Sequence, residues 1–154
     1  MNVLLVSAYE LGHQPLAVAE PAGVLRARGH DVRCVDLSVE PWDPTLATWA
    51  DRIALSVPMH TAARLVRPIA SAAERPVAAY GLYAAMCSDV ATALVSRDPD
   101  AELVRWIEDD SSLEPEVALP ARDLLPPLER YARLVQAGQE HLVASVEASR
   151  GCVH

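Results

Sequence analysis

The chain has no lysine and no phenylalanine, and its single asparagine is Asn2. All 13 of its basic side chains are therefore arginine. Without lysine, Schiff-base chemistry and a Walker-type phosphate lysine are both excluded. Cysteine is scarce too: Cys34, Cys87 and Cys152 are far apart and form no CxxC pair, which argues against a disulfide framework. No apolar run approaches the ~18 residues of a membrane span. No charged leader with a small-residue cleavage site follows Met1, so a cytoplasmic location is expected. Cations are outnumbered, 13 against 21 carboxylates, for a net charge of -8 and a pI near 5.0. A nucleic-acid partner needs a basic face and is not expected; neither is an anionic membrane surface. A GxGxxG turn after the first strand and a GxSxG elbow are both missing. The acidic pair and strand-end aspartate of a phospho-acceptor domain are missing as well.

What remains is a globular composition. Of the 154 residues, 51% are hydrophobic and 22% charged, enough for one domain with a real core. Asn2–Val6 (NVLLV) reads as a parallel strand buried on both faces. Leu16–Arg28 has helical spacing and stops at Gly29, with Pro21 either opening the helix or kinking it. Asp31–Leu37, Arg52–Val57 and Pro76–Tyr80 read as further strands, and Thr92–Val95 as a fifth. One helical turn at Leu46–Ala50 and helices at Thr61–Glu74 and Glu102–Asp109 alternate with them. Strand and helix repeated in this way predict an α/β fold. The expected form is a doubly wound, mostly parallel five-stranded sheet, flavodoxin-like, in the order 2-1-3-4-5.

Eight carboxylates fall within Asp98–Glu116 against the single Arg105. This is the pattern of a solvated surface helix and loop, and the spacing matches no calcium loop. Beyond residue 119 the chain changes character. Ala121–Pro127 reads as a connector, Leu128–Val135 as a short helix and His141–Ala148 as a strand. The expected organisation is a Rossmann-like domain over 1–119, a linker over 120–140, and over 141–154 the first strand of a second domain.

Open parallel sheets bind ligands beyond the carboxyl ends of their strands. The loops there carry Ser7, Tyr9, Glu10, Gly12, His13, Met59, His60, Gly81 and Tyr83, which are the candidate cofactor-binding residues. His13 and His60 are possible ligands or hydrogen-bond donors. Glu10 and Gly12 suit a tight turn with close backbone approach. Leu82 and Met86 suit a flat apolar ligand. His30, at a helix end, reads as structural. Cys34 reads as an inert thiol within a strand, and Cys87 has no base beside it in the sequence.

Glu147–His154 (EASRGCVH) resembles the start of a radical S-adenosylmethionine core. In that family a Ser-Arg-Gly-Cys turn follows the first barrel strand, and three cysteines hold a four-iron, four-sulfur cluster. Cys152 matches the first cysteine and is the candidate metal ligand; the others would fall at about positions 156 and 159. The upstream region resembles the cobalamin-binding-type domain that precedes such barrels, through Pro15, Arg26–Val32 (RARGHDV) and Val35–Leu37. Tyr9–Pro15 and Arg122–Pro127 are similar to the CUAEP/CCAEP-tail subgroup. The resemblance implies an accessory domain with a radical S-adenosylmethionine barrel as its partner in cis, and with a small-molecule ligand. Cobalamin is the implied cofactor of this domain. The iron–sulfur cluster and S-adenosylmethionine belong to the full-length protein, and no catalysis is expected from this chain alone. The DxHxxG motif is absent, so His13 does not inherit the role of a lower axial ligand. The glycine-glycine-glutamate element after the fifth strand is also missing. The alternatives are a standalone flavodoxin-like small-ligand module and a protein-interaction module.

Overall fold

A computed structural model of the chain describes residues 1–95, 99–114 and 118–147. Five parallel strands form the central sheet: β1 (Asn2–Ser7), β2 (Asp31–Asp36), β3 (Arg52–Ser56), β4 (Val77–Tyr80) and β5 (Ala93–Val95). Their order is β2-β1-β3-β4-β5, so the strand sequence reverses direction between β1 and β3. This is the doubly wound, flavodoxin-like arrangement that the strand–helix alternation predicts.

Side-chain alternation along the strands divides the core into two layers. Val3 and Leu5 of β1 pack with α1 (Leu16–Ala27) and α4 (Pro99–Glu108), through Val18, Ala22, Leu25, Leu103 and Ile107. Leu4 and Val6 point the other way, toward α3 (His60–Ala72) and the short α2 (Pro44–Trp49). Both faces of the sheet are covered, which is why these strands are continuous apolar runs rather than alternating ones.

Helix ends follow their local chemistry. Asp43 caps α2 by accepting the Thr45 amide at 2.9 Å. Gly29, at φ +86°, ends α1 in a left-handed turn. There the Gly29 amide bonds the Arg26 carbonyl and the His30 amide bonds the Leu25 carbonyl, a Schellman closure. Pro21 lies inside α1 rather than at its start. It has no N–H for the Ala17 carbonyl, and the buried Tyr80 hydroxyl of β4 donates to that carbonyl instead, at 3.0 Å.

Two expectations fail beyond residue 120. Leu128–Val135 is not a helix: a single 3₁₀ turn covers Leu128–Arg130. An antiparallel hairpin of β6 (Leu134–Gln136) and β7 (Gln139–His141) follows. Ala137 and Gly138 at its tip both take positive φ, as a two-residue hairpin turn requires. The predicted strand His141–Ala148 is not formed over its described part; β7 ends at His141, and 142–147 have no ladder partner. Gly138 sets a turn that residue periodicity alone does not reveal.

Residues 118–132 form a strap against α1 and the loop after β1. The Ala121 amide donates to the Ala19 carbonyl at 2.7 Å. The Ala132 amide donates to the Gly12 carbonyl at 2.8 Å. Ala121, Leu125 and Tyr131 are buried. Gln14 holds the middle: its amide donates to the Pro126 carbonyl at 3.0 Å and its oxygen accepts from Arg122 at 3.0 Å.

Candidate functional site

The carboxyl ends of the strands form a rim with two unlike halves. One half is built by register. Asp36 pairs with Ser7, Ser7 with Ser56, and Ser56 with Tyr80, so four adjacent strands each end in a polar residue at the same level. Alternation puts all four on the α1 side of the sheet. Each is essentially inaccessible to solvent. Tyr80 is satisfied by the Ala17 carbonyl, and Asp36 Oδ1 accepts both the amide and the hydroxyl of Ser38. Ser7 Oγ and Glu10 Oε2 have no partner among the described residues, while the Tyr131 hydroxyl lies against the Asp36 carboxylate. Buried polar atoms are ordinarily paired, so Ser7 Oγ and Glu10 Oε2 stand out.

Glu10 reaches the row from the loop after β1. The turn that carries it is tight: the His13 amide donates to the Glu10 carbonyl at 3.0 Å, and Leu11 and Gly12 take φ of 54° and 81°. The close approach at Gly12 is made by the strap, since a Cβ there would sit 3.3 Å from the Ala132 Cβ. Burial, and then the Asp36 carboxylate, push the Glu10 carboxyl up to about 7. Burial and the same carboxylate hold the Tyr131 phenol well above its usual range.

The other half of the rim is exposed and apolar. Tyr9, Leu11, Leu82, Tyr83 and Met86 all present substantial surface, Leu82 at 80%. His60, the first residue of α3, meets Tyr83 edge to face at 6.4 Å between ring centres. Gly81, at φ +102°, makes the turn that places them, because a Cβ there would press on the Val57 carbonyl at 3.1 Å. The Tyr83 amide then bonds that carbonyl at 3.0 Å. Arg67 of α3 pins the following 3₁₀ turn, Ala84–Cys87, through the Met86 carbonyl and Asp89.

The predicted site residues therefore fall into two groups. Ser7, Glu10 and Gly12 belong to the buried half under the strap. Met59, His60, Gly81 and Tyr83 lie in the loops of the open half, with Met59 partly buried, and Tyr9 and His13 are exposed in the loop after β1. Asp36, Ser56, Tyr80 and Tyr131 were not among the sequence candidates. Aligning the last residues of the buried strands (S, D, S, Y) exposes the first three; nothing in the sequence signals Tyr131. His30 is bonded to Glu108 at 3.0 Å, where Arg28 holds the same carboxylate in a two-point pair. Those partners hold the Glu108 carboxyl down to about 2. The acidic segment is tied back elsewhere by Arg52–Asp109 and Arg105–Glu114.

Burial pushes the thiol of Cys34 up to about 12 and raises that of Cys87, so neither is a ready thiolate. Cys152 lies outside the described residues, and among those described no group of three His, Cys, Asp or Glu side chains is placed to hold a metal ion. A groove of about 420 Å³ between α2 and the end of α3 lies before the start of β4, away from the rim. No described helix is long and apolar enough to cross a membrane.

A flat ring bearing a nucleotide tail, as in cobalamin, asks for an apolar ledge and for a slot beneath it. The open half supplies the ledge through Tyr9, Tyr83, Leu82 and Met86. On the α1 side, Leu125 and Tyr131 of the strap are buried, Tyr131 against Asp36 at the end of β2. The ledge suits the flat ring, while the second requirement, a slot for the tail, is not met on the α1 side. No protein-family model and no curated protein sequence matches this chain.

Proposed function

We propose that this chain is the N-terminal accessory domain of a radical S-adenosylmethionine enzyme, holding a flat cofactor of the cobalamin type on the open half of its rim. The observation that carries this reading is the apolar surface just ahead of Glu147–His154. Leu134, Val135, Leu142 and Val146 stand 46–84% exposed on the hairpin and the segment after it. A run of exposed aliphatic side chains suits a surface that another body covers, and a barrel continuing in cis is the body that the SRGC turn implies. The doubly wound fold, with a ligand ledge at its carboxyl edge, agrees with that role.

In this reading Tyr9 and Tyr83 bear on the ring face, and His60 orients Tyr83 by its edge contact. Met59 and Met86 fill the remaining apolar surface with side chains that adapt to an irregular partner. Cobalamin, when bound, supplies a cobalt centre able to carry a methyl group. The domain itself binds and orients; Cys152 contributes a thiolate to a cluster completed by later cysteines.

The test is to read the gene in frame past the His154 codon and express what it encodes. Two cysteines about four and seven residues beyond Cys152 are expected. Anaerobic reconstitution with iron and sulfide should then give a brown protein, and Cys152→Ala should abolish the colour. A stop codon at that point, or iron uptake that ignores Cys152→Ala, would overturn the proposal.

A further inference from the structure

The hairpin of β6 and β7 stands on two feet, and both rest on the loop after β1. The outgoing foot is Ala132, whose amide donates to the Gly12 carbonyl at 2.8 Å. The returning foot is Ser145, beyond β7, whose carbonyl accepts from Nη2 of Arg122. Nη1 of the same guanidinium donates to Gln14 Oε1 at 3.0 Å. Gly12 and Gln14 belong to the loop that also carries Tyr9. We infer that Arg122 is a coupling joint, tying the loop after β1 to the chain that leaves the domain, so that a displacement of either is felt by the other.

The anchor in the loop is firm. Gln14 is only 5% exposed. Its Nε2 donates to the Pro126 carbonyl at 3.0 Å and to the Arg122 carbonyl at 3.4 Å, so both ends of its amide are committed to the strap. A buried amide that loses its partner has no water to replace it, and Gln14 therefore holds the guanidinium in place. The guanidinium is planar, and its two prongs move together. One prong is on Gln14 and the other on Ser145, so the relation between the two acceptors is fixed. At the far end, β7 stops at His141 and residues 142–147 have no ladder partner. The direction of that segment depends on side-chain anchors of this kind.

Coupling of this sort is reciprocal: what the loop does to the exit segment, the exit segment does to the loop. In the proposed reading the segment leads into the barrel, and a ligand that shifts the Tyr9 loop redirects that entry. The joint itself needs no ligand and no barrel, so it can fail while the ledge stands, and the reverse.

The test perturbs one end and reads the other in the full chain. Gln14→Leu takes away the acceptor of Arg122 while leaving the Ser145 carbonyl untouched. Thermolysin, which cuts ahead of apolar residues such as Leu142 and Val143, should cleave 142–147 of this variant about tenfold faster than in the parent, with the sites mapped by mass spectrometry. Arg122→Leu should match it. It should also speed hydrogen exchange at the His13 and Ala132 amides, which bond the Glu10 and Gly12 carbonyls. The double variant should be cut no faster than Arg122→Leu alone, because one joint can be broken only once. Arg67→Ala, which removes the pair with Asp89 on the other side of the sheet, reports general loss of stability and should leave 142–147 as in the parent. Gln14→Leu cut at the parent's rate, effects that add in the double variant, or equal acceleration by Arg67→Ala would each overturn the inference. If Gln14→Leu does not fold, Arg122→Lys, which keeps the charge but not the fork, decides the matter. It must speed both the cleavage of 142–147 and exchange at His13; cleavage without exchange would show an anchor that is not coupled to the loop.

Discussion

Gly23 sits in the middle of α1, where an alanine would ordinarily be the better helix former by about 1 kcal/mol. Here the sign should reverse. A Cβ at this position would lie 2.1 Å from the Leu119 carbonyl oxygen, 3.0 Å from its carbon and 3.3 Å from the Ala121 nitrogen. All three neighbours are backbone, so no side chain can rotate away. The strap must retreat by about 1 Å to relieve the overlap. That movement breaks the 2.7 Å bond from the Ala121 amide to the Ala19 carbonyl and loosens the buried Ala121 and Leu125. Overpacking costs about 1–3 kcal/mol and the lost hydrogen bond about 1 more. Set against the propensity gain, Gly23→Ala should destabilise by roughly 1–3 kcal/mol. Urea denaturation should show this as a midpoint lowered by roughly 1 M. Hydrogen exchange should show the Ala121 amide losing protection while the amides of β1 and β3 keep theirs. If Gly23→Ala is as stable as the parent and Ala121 stays protected, the strap is not packed on α1 as described.

Tyr80→Phe leaves the Ala17 carbonyl without the donor that Pro21 denies it, so denaturation should show a loss of about 1–3 kcal/mol. Pro21→Ala in the same background restores an amide and should recover part of that loss. Glu108 offers a test by pH. Its carboxyl is held down to about 2 by Arg28 and His30, below its ordinary 4.5. The stabilisation is therefore fully present above about pH 4.5 and fades as pH falls toward 2. The Glu108 and Arg28 side chains are 21% and 32% exposed, so solvent screening trims the effect to about 1 kcal/mol. Glu108→Gln should cost that much at pH 7, with the gap closing as pH falls through this window. A gap unchanged at the acid end would mean the loss is one of shape and not of charge.

The sheet was legible because each strand is a short apolar run bounded by turn residues, and each helix between them keeps its spacing. NVLLV, RIALS and VAAY are short apolar runs of strand length, and Gly29 marks the end of α1. The region after residue 120 was harder for a physical reason. Its order comes from long-range contacts to Gly12, Gln14 and Ala19, and no local pattern encodes those. The open half of the rim was found through loop position alone, since Tyr9, His60 and Tyr83 each follow a strand end. The buried half was only partly found. Ser7 and Glu10 stood out, but Asp36 and Ser56 read as ordinary strand-end residues until register placed them side by side. Tyr131 joins them only because the strap folds back over the strand ends.

The cofactor part of the proposal concerns the ledge of Tyr9, His60, Leu82, Tyr83 and Met86, and a hydroxocobalamin titration tests it most directly. Visible spectra and retention through dialysis should be measured for the parent chain and for Tyr83→Ala. The parent should retain the corrinoid with a shifted spectrum. Tyr83→Ala should fold normally and bind about tenfold more weakly, a difference of about 1.4 kcal/mol. A parent chain that releases all the corrinoid with an unshifted spectrum, or a Tyr83→Ala variant that holds it equally well, would contradict the account.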